Sequence, residues 1–240
     1  MTFKQTGLTR SGDQSHGTIV DTGVVGSTRA LLAWSGLVAV YTVLSFGGPL
    51  LWAVPEDRLY TYSNAAFALL QYGAILVVLL VIARPGGLRE TLALTPPASW
   101  KRAAAIGLLL FVGMIALLAI LDPLLHAGDA QNLASEWDPT RVIPFAINAA
   151  VIALIAPVVE ELWFRGLGLT LLQRYGTTVA IVVTAGTFAL MHGLVEMLPI
   201  AAAFGLGLAY LRSRTGSIFP GIVVHVLVNT LGVAATTLGS

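Results

Sequence analysis

Cysteine is absent from the chain, which excludes disulfide staples, thiolate metal sites and a thiol nucleophile together. Charge is scarce as well. Asp, Glu, Lys and Arg make up 10% of the residues, against roughly 25% in soluble domains, too few to coat a water-facing surface. The net charge is +1, so no basic field recruits nucleic acid, and none is expected as a partner. What is abundant is apolar: 56% of the residues, with a mean hydropathy of +0.84. Lipid must be part of the solvent, and the bilayer is the first partner the composition implies.

Residues 1–29 are polar and rich in Gly, Ser and Thr, and read as a disordered cytoplasmic tail. The apolar run that follows is longer than the ~7–15 residues of a signal-peptide core, so it is read as a first span that stays in the protein. Stretches near the ~20 residues that cross a bilayer recur at 30–52, 64–83, 103–121, 142–174, 177–195, 198–211 and 217–238. Only helices satisfy this much backbone in hydrocarbon. The expectation is an all-α, polytopic transmembrane bundle of about seven spans, forming one domain over 30–240. A cytoplasmic N-terminus puts Lys4, Arg10, Arg29, Arg84, Arg89, Lys101, Arg102, Arg165, Arg174, Arg212 and Arg214 inside and leaves only Arg58 and Arg141 outside, as the positive-inside bias requires. The plasma (inner) membrane is the expected location.

Ionisable groups inside spans cost roughly 2.5–3.5 kcal/mol each on insertion scales, yet they cluster in the last hundred residues: Glu160, Glu161, Arg165, His192 and His225. On a helix Glu161 and Arg165 share a face four residues apart and can neutralise one another. Glu160 lies about 100° around, and a carboxylate in apolar surroundings suits a general base. The plainer reading is a charge cluster marking the end of a span. His192 follows Phe188-Ala189-Leu190-Met191, and His225 and Asn229 stack four apart on one helical face. For both histidines the plainer reading is interhelical glue. His16 and His126 lack such surroundings and read as surface residues.

Depth decides between these readings. If Arg165 marked the membrane surface, Glu160 and His192 would lie at opposite faces. If Arg174 marks it and Arg165 is buried with Glu161, then at ~1.5 Å per residue Glu160 lies about 21 Å from Arg174. Turns at Gly176–Thr177 and Gly216 put His192 about 23 Å deep, His225 about 14 Å and Asn229 about 20 Å on the same rise. Polar groups from three helices then share one layer. This register implies that 142–153 is a separate interfacial or re-entrant piece, with a break near Pro157.

Glu160-Glu161 with Arg165, Phe188 with His192 after three intervening residues, and His225 with Asn229 occur in that order over about residues 142–232. In this the sequence resembles the CAAX-protease and bacteriocin-processing family, also called the Abi family, which includes the type II CAAX prenyl endopeptidases. Phe204-Gly205-Leu206-Gly207 and Thr215-Gly216-Ser217-Ile218 also resemble the family's Gly-rich helix and turn. The first three spans carry no such signal.

The resemblance implies an intramembrane endopeptidase acting on a membrane-associated or C-terminal CAAX-like protein or peptide. It implies that Glu160 and His192 activate water, and that His225 and Asn229 polarise the scissile carbonyl. Glu161 and Arg165 would orient the site. Glu160, His192 and His225 could also hold zinc with a fourth position open, and the family is often labelled metalloprotease. The residues leave the metal-bound and metal-free routes both open. Gly205 and Gly207 permit close helix approach, and Pro157 and Pro199 can open gaps, so a polar cavity towards the cytoplasmic half is expected. Two other readings stand beside the enzyme: a bacteriocin-immunity or scaffold protein of the same fold, and an ion or proton-coupled transporter. Against the transporter, the charges form one cluster and no inverted repeat is visible.

Overall fold

A computed structural model describes residues 27–51, 55, 57–130 and 137–238; the tail at 1–26, with His16, lies outside them. The described residues form seven principal helices: α1 (Thr28–Leu51), α2 (Tyr62–Ala83), α3 (Trp100–Leu125), α4 (Val142–Tyr175), α5 (Thr177–Leu190), α6 (Leu198–Thr215) and α7 (Phe219–Leu238). They follow the seven apolar stretches, and no strand occurs among the described residues. The protein is an all-α, polytopic integral membrane bundle. Helices α1 to α4 are each long and apolar enough to cross a bilayer, while α5 and the apolar part of α7 are shorter.

Local chemistry sets the ends. Thr61 and Ser99 accept the N–H groups of Asn64 and Arg102 and so cap α2 and α3. Gly216, at φ +71°, ends α6 in the left-handed conformation that lets its N–H reach the Arg212 carbonyl. The Ser217 hydroxyl then accepts the Phe219 N–H and starts α7. His126 is a partly left-handed cap at the end of α3, exposed as expected.

Helix α4 is the axis of the bundle. It packs against α2 along much of its length, against α1 through its second half, and against α5 and α7. Helices α5 and α6 form the tightest pair, and α3 lies across α6 and α7. Gly205 makes the α5–α6 contact close: a Cβ there would meet the Ala185 Cα at 3.0 Å. Gly168 does the same for α1, since the Trp34 indole occupies the space its side chain would need. That indole donates to the Trp163 carbonyl at 3.1 Å.

The expected break near Pro157 does not occur. Helix α4 runs continuously, but Val151–Ile155 and Glu161–Gly168 are π-helical, with five and eight residues in wide turns. A wide turn carries its bonds one residue further, so the helix absorbs a proline without splitting. The segment 142–153 is therefore the first part of α4 and not a separate piece.

Candidate active site

The second wide turn begins at Glu161, and the site is built around it. Arg165 Nη1 lies 3.1 Å from Glu161 Oε1, with both side chains fully buried. Arg165 Nη2 donates to the Gly205 carbonyl at 3.4 Å, and the guanidinium sits 4.2 Å above the Phe188 ring. The ion pair read from the four-residue spacing is present, and α6 and Phe188 hold its cation. Glu161 Oε2 faces Gly221 of α7, where a Cβ would stand 2.7 Å away. Glycine at 221 is what lets the last helix approach this carboxylate.

His225 joins the two neighbouring carboxylates. Its Nδ1 is 3.1 Å from Glu161 Oε1, and its Nε2 is 3.6 Å from Glu160 Oε2. An ionised carboxylate only accepts, so Nδ1–H donates to Glu161 and Nε2 is turned to Glu160. The rings of Phe188 and Phe204 meet the imidazole edge-on at 5.8 and 5.1 Å and fix its plane.

His192 is oriented by the same logic. Its Nδ1 lies 2.8 Å from the Phe188 carbonyl. A carbonyl cannot donate, so Nδ1 carries the proton, and Nε2 of the neutral ring is left as an acceptor. Helix α5 stops at Leu190, so His192 sits in the turn after it and not within a long span to residue 195. Gly193 explains the early end. Its φ is +68°, and a Cβ there would come within 2.5 Å of the Ser45 carbonyl oxygen of α1. Phe188 stacks edge-on to His192 at 4.8 Å, and His192 interacts electrostatically with Glu160, His225 and Arg165.

Asn229 lies one turn beyond His225 on α7, as the spacing predicts. Its Nδ2 donates at 3.0 Å to the carbonyl of Ile152 in the first wide turn, so this donor is engaged by the backbone of α4.

Glu160 has a partner that the site motifs do not contain. The Tyr72 hydroxyl of α2 donates to Glu160 Oε1 at 2.9 Å. The Gln71 amide bonds the Tyr41 hydroxyl of α1, and Tyr41 couples to Tyr72. One signal was there to be read: Gln71 is the only amide or charged residue between Asn64 and Arg84, and such a group in a span needs a partner.

The expected polar cavity is not open at these groups. Glu160, Glu161, Arg165 and His225 are all buried, and the site reaches the surface at His192, which is partly exposed. Among the described residues no three His, Asp or Glu side chains gather closely enough to hold a metal ion. Glu160, His192 and His225 stand near one another without forming a ready ligand set.

The arrangement defines an integral membrane protein with a buried carboxylate–imidazole centre, in which two histidines have their tautomers set by fixed acceptors. Residues 142–231, the stretch that carries every one of these groups except Tyr72 and its neighbours, match the family described as type II CAAX prenyl endopeptidase Rce1-like. The chain is also similar to the protein named "Putative membrane peptidase YdiL" of Bacillus subtilis (strain 168). The two are 23% identical over 212 residues, 85% of this chain and 84% of that one. No solved structure matches it. Both similarities support the resemblance to the CAAX protease and bacteriocin-processing family.

Proposed function

We propose that the protein is an intramembrane endopeptidase in which Glu160 and His192 activate water for attack on a peptide carbonyl. The observation that carries the reading is the convergence of α2, α4, α7 and the turn after α5 on Glu160. Its Oε1 is held by Tyr72 and its Oε2 faces His225. The family match and the name of the Bacillus relative support peptide hydrolysis in general.

The chemistry follows from the proton positions. Glu160, aided by the free Nε2 of His192, takes a proton from water as the oxygen bonds to the scissile carbonyl carbon. His225, steadied through Nδ1 by Glu161, polarises the carbonyl and stabilises the charge that builds on its oxygen. The C–N bond then breaks, and the proton passes to the leaving amine. Arg165 balances Glu161, so one site carboxylate is neutralised while Glu160 stays available. No step here runs through a metal. The substrate is a membrane-associated or C-terminal CAAX-like peptide or protein. The basic ends of α2, α3, α4 and α6 lie on the cytoplasmic side, in the plasma membrane.

The test is the detergent-purified full chain assayed on quenched fluorogenic peptides, with and without CAAX-type C-termini, and with and without chelator. Cleavage that disappears in Glu160→Gln and in His192→Ala is the expected result. Cleavage that survives both would refute the proposal. Activity lost to chelator and regained with zinc would bring the metal into the site.

A further inference from the structure

We infer that Asn229 is a positioning residue: its amide replaces the backbone N–H that Pro157 lacks, and thereby locks α7, with His225, onto α4. For its bearing on activity, this rests on the peptidase reading above.

The argument starts with the bonding ladder of α4. The Ala156 N–H bonds the Val151 carbonyl, five residues back. The next N–H in that ladder would belong to residue 157 and would reach Ile152, but residue 157 is proline and has no N–H. The α-type alternative fails too, because the donor four residues after Ile152 is Ala156, which is already engaged. Beyond the proline the ladder returns to α spacing, with the Glu161 N–H on the Pro157 carbonyl. The Ile152 carbonyl is therefore the one that the wide turn and the proline together leave without a backbone donor. A carbonyl so placed in hydrocarbon is costly unless something else reaches it.

The group that reaches it is Asn229 Nδ2, at 3.0 Å. Helix α7 packs against both Val151–Ile155 and Ala156–Glu160, so the bond joins two helices and does not merely mend one. Four residues earlier on α7, His225 bonds Glu161 and faces Glu160. The α7–α4 contact thus has two polar pins, one in the catalytic layer and one at the proline. The outer pin sets the height and rotation at which the imidazole meets the carboxylates. This assigns the Asn229 amide to the protein backbone, where the resemblance alone would put it on the substrate carbonyl.

The two roles separate in a double-mutant cycle. Pro157→Ala restores the N–H that Ile152 lacks. In the reconstituted full chain, Asn229→Ala is expected to lower kcat about tenfold, the equivalent of one buried hydrogen bond, on whichever fluorogenic peptide the wild type turns over. In the Pro157→Ala background the same substitution should change kcat less than about twofold, below the effect of losing one such bond. An equal loss in both backgrounds would overturn the inference, since a donor to the substrate does not depend on residue 157. A second measurement needs no substrate. Solid-state NMR of the carbonyl-labelled chain should show the Ile152 resonance move on Asn229→Ala in the wild-type background. An unmoved resonance overturns the inference even if Pro157→Ala fails to accumulate. If no peptide is cleaved by any form, the peptidase reading fails while the Ile152 result still decides this one.

Discussion

Helices α1 to α3 and helix α4 are comparably apolar, yet they do opposite things. In the most apolar 18-residue windows of α1, α2 and α3, only 11%, 17% and 11% of the residues are buried within the protein, against 39% for α4. The first three therefore spend most of their surface on lipid, and Leu70, for example, is 74% exposed. Helix α4 is enclosed by the others and carries the charges. Hydropathy alone does not distinguish the two kinds of helix. The distinction lies in small and polar residues: Gly166, Gly168 and the Glu160-Glu161-Arg165 group in α4, and isolated anchors such as Trp34, Gln71 and Tyr72 in the others.

The sharpest way to break the comparison is at Glu160. Glu160→Gln keeps the shape and removes the carboxylate proposed as the base, and a loss of about a thousandfold in peptide turnover is expected, with the protein still folded in detergent by circular dichroism. Next is the ion pair. Arg165→Ala leaves Glu161 charged and fully buried without its cation, which costs about 3–5 kcal/mol. It should appear as a large drop in unfolding midpoint, or as failure to accumulate in the membrane. Tyr72→Phe tests whether an outer helix reaches the chemistry. A fall in kcat of about tenfold with KM unchanged is the outcome expected for one lost charge-assisted hydrogen bond, and a change in KM alone would count against it. Smaller still is the contrast within α1 and α2. Trp34→Phe removes the indole bond to Trp163 and should cost about 1 kcal/mol, whereas Leu70→Ala, facing lipid, should stay within about 0.5 kcal/mol.

The smallest effect belongs to the connections beyond the helices. Arg141 bonds Asp138 and Asp57 and lies over the Tyr60 ring. The Thr140 hydroxyl and then Arg141 hold the Asp138 carboxyl down to about 2, from an ordinary 3.8. The folded-state value lies below the unfolded one. Whatever stability Asp138 adds is therefore complete above about 3.8 and is lost as pH falls through about 2. Both partners are partly exposed to solvent, so the expected change is slight. Unfolding of Asp138→Asn followed across that interval, against the parent chain, measures it.

The bundle itself was legible in the sequence because apolar length is a direct physical requirement of the bilayer. The ends of α1 and α4 fall within two residues of the expected ones. The pairing of Glu161 with Arg165 was legible because four-residue spacing survives even a π-type turn. Three things were not. The continuity of α4 past Pro157 depends on a wide turn whose repair comes from Asn229, 77 residues away in sequence. The early end of α5 depends on Gly193 meeting Ser45, again a contact between distant parts. Tyr72 could not be assigned to Glu160 because a tyrosine in a span has many acceptable partners, and only packing selects one.

The placement of Tyr72 has a consequence for how the chain is made. Synthesis delivers α1 to α3 to the membrane before α4, and α7 only after α4. When Glu160 enters the bilayer, the phenol that will hold it is already there, while Arg165 enters on the same segment as Glu161. Each acid is therefore matched on arrival, by a waiting hydroxyl or a travelling cation. The imidazole of His225 closes the centre only once α7 has been inserted, so a chain halted before that helix carries a shielded but incomplete centre.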